Sequence, residues 1–328
     1  IGPDLQTLRD TLRPPKLPQQ LGAIPSEDLL IRLAEGASLL VRQDLPERHH
    51  PIGWVLVVHG LAGSSERPGV RRLAGLFLRC GFGVWRLNLR GAGAGRKLAS
   101  GTYASACNRD ILPVLVAARE LARALPLFGV GLSLGGTVLL NALLERPDGL
   151  DALACVSSPL DLDSCSHQIS RPRNSFYQRY MVRALINQTK ADPQFRTDSQ
   201  AKVSINSSIV RTNIDKICTI RDFDAVITAP RWGYTDVDCY YRDASPLQAM
   251  LNGAPLPPAF FVQALDDPWV PADSAVALAL AQIPLGAEFC LSQQGGHNGF
   301  HAVADRQLNH PSSWADSRVL EWLSQRCG

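Results

Sequence analysis

The chain has 328 residues, 45% hydrophobic and 19% charged, with a formal net charge of +3, enough apolar content for one large core and too balanced for a charged tail. No uninterrupted apolar run reaches the roughly 18 residues that span a bilayer. No helix-turn-helix, zinc-finger or RNA-binding signature accompanies the modest charge, so neither a transmembrane segment nor a nucleic-acid partner is expected. Eight cysteines (Cys80, Cys107, Cys155, Cys165, Cys218, Cys239, Cys290 and Cys327) show no C-x-x-C pair and no metal-like spacing. They read as reduced thiols of a cytoplasmic protein, with no metal or cofactor expected. The opening I-G-P-D-L-Q-T-L-R-D lacks the charged-then-apolar layout of a signal peptide.

Residues 1–28 carry Pro3, Pro14, Pro15, Pro18 and Pro25, which predicts an irregular arm on the surface. Leu29 to Val41 predicts two antiparallel edge strands turned at Glu35-Gly36. Trp54 to Val58, W-V-L-V-V, reads as a fully buried strand ending in His59-Gly60-Leu61-Ala62-Gly63. A His-Gly turn at a strand end suits an oxyanion hole, in which backbone N–H groups stabilise the charge that develops on an attacked ester carbonyl, each worth about 3 kcal/mol. Leu61 supplies one such group. His59 as a general base is the weaker reading, because in this arrangement the base follows the nucleophile in chain order.

A helix Pro68 to Arg79, a strand Gly83 to Leu89 and a helix Ala104 to Ala124 follow. Gly91, Gly93 and Gly95 invite a dinucleotide reading, but the spacing is G-x-G-x-G, with no immediate helix and no acidic residue closing a following strand. They are expected instead at the active-site rim. Strand Leu127 to Leu132 then runs into Gly131-Leu132-Ser133-Leu134-Gly135, the G-x-S-x-G pattern that exposes a serine on a tight strand-to-helix turn. Glycine on either side lets strand and helix approach without Cβ atoms between them. Ser133 is the candidate nucleophile, Leu134 the second oxyanion N–H, and Gly136 to Glu145 the buried helix behind it. Strand Leu153 to Ser157 closes this half, and the strand–helix alternation predicts a mostly parallel sheet with helices on both faces.

Residues 161–250 break the alternation and read as a cap inserted over the site. Between Asp161 and Arg221 there are ten Lys and Arg against five Asp, a local excess of five, read as a solvated face with attraction to anionic lipid as the functional alternative. Of the cap's aromatics, Trp232 and Tyr234 are expected to line an acyl pocket. Strands resume at Ala259 and Ala287, and Ser313 to Gln325 is the closing helix. The first of these strands breaks into Asp266-Asp267-Pro268 and the second leads to Gly295-Gly296-His297-Asn298-Gly299. The order Ser133, Asp267, His297, each on a loop after a strand, is that of an α/β-hydrolase triad. Asp266 is the alternative acid, since neighbouring side chains point opposite ways; the bland reading is an aspartate capping helix Pro271 to Ala281. His297 and His301 share metal-like spacing, but Gly299 lies between them and no third ligand is evident.

These stretches, with Asn88-Leu89-Arg90-Gly91, Phe223-Asp224-Ala225-Val226-Ile227-Thr228-Ala229-Pro230 and Tyr240-Tyr241-Arg242-Asp243-Ala244-Ser245, give a chain that resembles α/β-hydrolases of the YheT type. That group includes abhydrolase-domain lipases and fungal medium-chain alcohol acyltransferases. Thr137 departs from the asparagine expected after the double glycine, and Ser164 to Ile220 is similar only around Phe176 to Tyr180. The resemblance implies an α/β-hydrolase fold with an N-terminal arm (1–28), a core in two parts (29–160 and 251–328) and a cap (161–250). It also implies a serine esterase or lipase acting on small esters of short- to medium-chain acyl groups, an acyltransferase moving the acyl group to an alcohol being the alternative. The alternative of another class is a hydrolase-like shell that only binds a ligand. Peripheral membrane contact is compatible with either enzyme.

Overall fold

In the central strand β3 (Trp54–Val58), pleating sends Trp54, Leu56 and Val58 to one face and Val55 and Val57 to the other, and all five are buried. A strand apolar on both faces needs helices on both sides, and that requirement sets the architecture. The computed structural model describes residues 2–12, 26–47, 50–193, 214–281, 286–302 and 312–327.

Eight strands among the described residues form one sheet in the order β1-β2-β4-β3-β5-β6-β7-β8. They are β1 (Glu27–Arg32), β2 (Ser38–Asp44), β3, β4 (Gly83–Asn88), β5 (Leu127–Leu132), β6 (Ala152–Val156), β7 (Ala259–Ala264) and β8 (Ala287–Ser292). β1 and β2 form an antiparallel hairpin whose turn places Gly36 at φ +81°, and β2 runs antiparallel to β4; every other pairing is parallel. Arg86, buried on β4, pairs with Asp44 of β2 at 2.6 Å and with Glu66 at 2.8 Å, so the edge hairpin is held by charges that would be costly to leave unpaired.

One face of the sheet is covered by helices α2 (Pro68–Arg79) and α10 (Trp314–Ser324), whose Phe77, Leu73, Val319 and Trp322 pack on Val55, Val57, Phe128 and Val130. The other is covered by α3 (Asn108–Ala122) and α4 (Leu134–Glu145). Proline at the first helical position starts α2, and a Ser313–Asp316 capping box starts α10. Between β6 and β7 lie α5 (Leu162–Ile169), α6 (Ser175–Lys190), a helical turn Ile220–Phe223 that passes through a π-turn Asp224–Thr228, then α7 (Val237–Asp243) and α8 (Leu247–Leu251). Helix α9 (Asp273–Leu280) joins β7 to β8.

Two expectations need correction. The N-terminal arm is not irregular throughout: Pro3 to Leu12 form helix α1, because Pro3 sits at the first turn, where a missing N–H costs nothing, and no further proline occurs before Pro14. Pro14, Pro15, Pro18 and Pro25 lie outside the described residues. The glycine loop after β4 is not part of the site rim. It folds back as a 3-10 turn, Gly93–Lys97, in which Arg96 donates to the carbonyls of Ala99 at 3.0 Å and Gly101 at 2.7 Å, and a Cβ on Gly93 would meet Asn88 Oδ1 at 2.6 Å.

Candidate active site

Ser133 sits between β5 and α4 with φ 53° and ψ −128°, a conformation that costs a non-glycine residue energy and persists only where the surroundings enforce it. The enforcement is steric. Cβ atoms on Gly131, Gly135 and Gly136 would collide with the Gly136 backbone, the Val58 carbonyl and Ser158 Oγ respectively. Three glycines thus let the turn close on itself, on β3 and on the loop after β6.

The side chains that converge on the serine come from the far end of the chain. His297 Nε2 lies 2.8 Å from Ser133 Oγ, and His297 Nδ1 lies 2.9 Å from Asp267 Oδ2. Asp267 Oδ1 accepts from the N–H groups of Trp269 at 2.8 Å and Val270 at 3.0 Å, which aims the second oxygen at the imidazole. Its neighbour Asp266 faces the other way and accepts from the N–H groups of Gly295 and Gly296, both at 2.9 Å. The two adjacent carboxylates therefore divide the work: one meets the ring, the other holds the loop that carries it. Neither caps α9, whose N-cap position is Ala272. The Trp269 ring lies 4.5 Å from the imidazole centroid and closes one side of it.

Opposite the serine, the His59–Gly63 turn is fixed atom by atom. A Cβ on Gly60 would lie 2.9 Å from that of Ser133, so only glycine lets the turn come so near. His59 is buried with both ring nitrogens engaged: Nδ1 lies 2.8 Å from the Gly60 carbonyl, and Nε2 accepts from the Leu89 N–H at 3.2 Å. Burial pulls its pKa down to about 4, which keeps the ring neutral, and its two nitrogens are taken up by the backbone of Gly60 and Leu89, not by Ser133. Ala62 has φ 54°, its N–H donates to Tyr103 Oη at 2.7 Å, and its carbonyl accepts from Arg67 Nη2 at 2.8 Å. Leu61 and Leu134 line the same cavity as Ser133, and the Leu134 N–H is the first of its helix, where no intrahelical acceptor exists.

The cavity measures about 320 Å³ and is bounded by the strand ends, α1 and the segment between β6 and β7, including Met181, Leu185, Phe223 and Tyr241. Trp232 and Tyr234, expected in an acyl pocket, are not among its lining residues. Trp232 Nε1 donates to the Thr102 carbonyl at 2.9 Å beneath Arg109, and Tyr234 packs on Tyr240, so both residues join the segment between β6 and β7 to the main core. No group of three or more His, Cys, Asp or Glu that would hold a metal occurs among the described residues. His301, four residues beyond His297, pairs with Asp10 at 3.1 Å.

Sequence reasoning missed three contributors: Tyr103, Trp269 and helix α1. The His297 N–H donates to Thr7 Oγ1 at 2.9 Å, Gln6 exchanges two hydrogen bonds with the His301 backbone, and Cβ atoms on Gly296 or Gly299 would run into α1. The signal for α1 was Pro3 at a helix start followed by Leu5, Leu8 and Leu12 at helical spacing.

The sequence profile of the family described as serine aminopeptidase, S33 (Hydrolase_4) matches residues 49–222. The putative esterase YheT of Escherichia coli (strain K12) is 30% identical over 276 residues, which cover 82% of this chain and 76% of that protein. Phospholipase ABHD3 of Mus musculus is 27% identical, covering 75% of this chain and 58% of that one. Medium-chain fatty acid ethyl ester synthase/esterase 2 of Saccharomyces cerevisiae is 25% identical, covering 83% and 62%. The chain thus spans about three fifths of the length of these last two. Among solved structures, the esterase Pf2001 of Pyrococcus furiosus is similar in fold, with a TM-score of 0.59 at 15% identity and 95% of both chains covered. Profile match and relatives agree with the fold and the G-x-S-x-G turn: the chain belongs to the Hydrolase_4 family of α/β-hydrolases, in its YheT-type abhydrolase group.

Proposed function

We propose that Ser133 attacks small carboxylic esters of short- to medium-chain acyl groups and passes through an acyl-enzyme, with His297 as general base and acid and Asp267 as the carboxylate that orients it. The chain is a serine hydrolase of the esterase type. The observation that carries the finer reading is the pair of contacts on the imidazole, 2.8 Å to Ser133 Oγ and 2.9 Å to Asp267 Oδ2.

In this reading His297 Nε2 takes the serine proton as Oγ adds to the ester carbonyl, and the Leu61 and Leu134 N–H groups receive the oxyanion. Collapse of the tetrahedral species expels the alcohol, which takes the proton back from His297. Water activated by the same imidazole then releases the acid. Asp267 stabilises the imidazolium between these transfers. The apolar cavity walls suit an acyl chain. A non-catalytic shell has no physical need for an aligned acid, base and nucleophile. The unpaired thiols support action in the cytoplasm.

A fluorophosphonate probe on the wild type and Ser133→Ala tests the nucleophile: labelling of the wild type alone is expected, and esterase activity surviving in the variant overturns the assignment. The yeast relative's name, synthase/esterase, supports acyl transfer to an alcohol as the second reading. Product analysis with a medium-chain acyl donor separates the two. Ester outcompeting free acid when alcohol is added would favour transfer.

A further inference from the structure

Helices α1 and α6 lie side by side at the cavity: Asp4 pairs with Arg173 just before α6 and accepts from Tyr177 Oη at 3.0 Å, and Leu8 packs on the cluster of Tyr177 and Met181. Their inner faces line the cavity through Gln6, Thr7, Tyr180 and Met181. Their outer faces are apolar where a surface helix should be polar. Leu5 is 59% exposed, Leu12 64%, Phe176 71% and Tyr180 53%, four of the ten large apolar side chains most open to solvent among the described residues. Leu5 and Leu12 are seven apart, one stripe of α1. Phe176, Arg179, Tyr180 and Arg183 follow the i, i+3, i+4, i+7 spacing of a single helical face.

Charge gives this face its partner. Helix α6 contains Arg179, Arg183 and Lys190 and no acidic residue. Arg171, Arg179 and Arg183 are exposed and form no ion pair among the described residues. Aromatic and leucine side chains interleaved with unpaired arginines match the boundary of an anionic bilayer, where rings and leucines enter the acyl edge and guanidinium groups stay at the phosphates. Tyr180, both cavity-lining and half exposed, stands where the two surfaces meet.

We infer that the outer face of α1 and α6 is an interfacial docking surface that sets the cavity mouth against anionic lipid. Esters of apolar acyl chains partition into bilayers, so docking there delivers them to Ser133. The inference deepens the esterase reading as to where its substrate is drawn from, but docking itself needs no catalysis.

Co-sedimentation of Ser133→Ala with vesicles tests it independently of turnover. Binding is expected to phosphatidylcholine vesicles containing about 30 mol % phosphatidylglycerol, with release at about 0.5 M salt. Arg179→Gln with Arg183→Gln should lower the partition coefficient about 30-fold, from roughly 1 kcal/mol per arginine near the surface. Phe176→Ser with Leu12→Ser should weaken binding to neutral and anionic vesicles alike. The same exposed substitutions in the Ser133 background should leave hydrolysis of soluble p-nitrophenyl acetate unchanged. No binding to anionic vesicles at low salt, or equal binding by wild type and variants, overturns the inference. Vesicle binding by a wild-type protein that shows no esterase activity would instead overturn the catalytic reading and leave this one standing.

Discussion

Removal of one hydroxyl should disarm the oxyanion hole without touching the nucleophile. In Tyr103→Phe the Ala62 N–H loses the acceptor 2.7 Å away while the ring still fills its buried site against His59. Leaving a buried N–H unpaired costs about 1–3 kcal/mol, and Ala62 already sits at φ 54°, a conformation that an alanine holds only under constraint. The turn is expected to relieve that cost by rotating, and the peptide that rotates adjoins Leu61, whose N–H is proposed to receive the developing oxyanion. Burial raises the tyrosine pKa well above its ordinary value, so the hydroxyl stays protonated at any working pH and the effect is one of position, not charge. Losing about half to all of one oxyanion contact worth roughly 3 kcal/mol lowers kcat about 10- to 150-fold with KM within about twofold. Steady-state kinetics on p-nitrophenyl butyrate measure this, and the affinity for a trifluoromethyl ketone, which forms a tetrahedral adduct on the serine, should fall in parallel. If kcat stays within twofold of the wild type while the melting temperature drops, Tyr103 supports the fold and does nothing for the transition state.

Three further outcomes follow from the same geometry. Asp267→Asn should lower kcat by about 10³- to 10⁴-fold, since the imidazole loses the partner that fixes its tautomer, whereas Asp266→Asn, which only slackens the 295–296 loop, should cost far less; equal losses would mean the acid has been misassigned. Thr7→Val deprives the His297 N–H of its acceptor and should reduce activity about tenfold, with Thr7→Ser restoring most of it; unchanged kinetics would remove α1 from the site. Acid stability should report two opposed groups. His59, held to about 4 by burial against an ordinary 6.5, destabilises the fold as pH falls through that window, because the unfolded chain takes the proton first. Asp224, raised by burial to about 6 from 3.8, stabilises the fold as pH falls, because the folded chain takes the proton first. Each is worth about 3 kcal/mol, so they offset one another. Asp224→Asn should therefore be more stable than wild type at pH 8 and lose more of its stability by pH 4; urea midpoints that fall in parallel for both proteins would contradict this.

The sheet was legible because its strands are short apolar runs bounded by glycine and charge, and parallel strands buried on both faces leave little ambiguity. Helix Pro68 to Arg79 and strand Leu127 to Leu132 could be read to the residue for that reason. Ser133, Asp267 and His297 were legible because each sits on a loop immediately after such a strand. Trp232 and Tyr234 were misplaced because composition records that a cap has aromatics, not which side of its wall they face; an indole N–H bonded to Thr102 points inward as readily as toward a ligand. Tyr103 and Thr7 carry no local signature at all. Their partners are 41 and 290 residues away, and only the folded backbone brings a hydroxyl within reach of an N–H.

The seam between α1 and the histidine loop has a consequence for how this enzyme is made. Gln6 and Thr7 meet residues 290 to 295 positions further along, so the imidazole gains its seat only when residues 297 to 301 have left the ribosome long after α1. Contacts of that sequence separation are the slowest to close, since the whole intervening loop must first be ordered. On the proposed roles of Ser133 and His297, a chain with its sheet ordered but α1 not yet docked on the 295–301 loop is expected to be chemically silent.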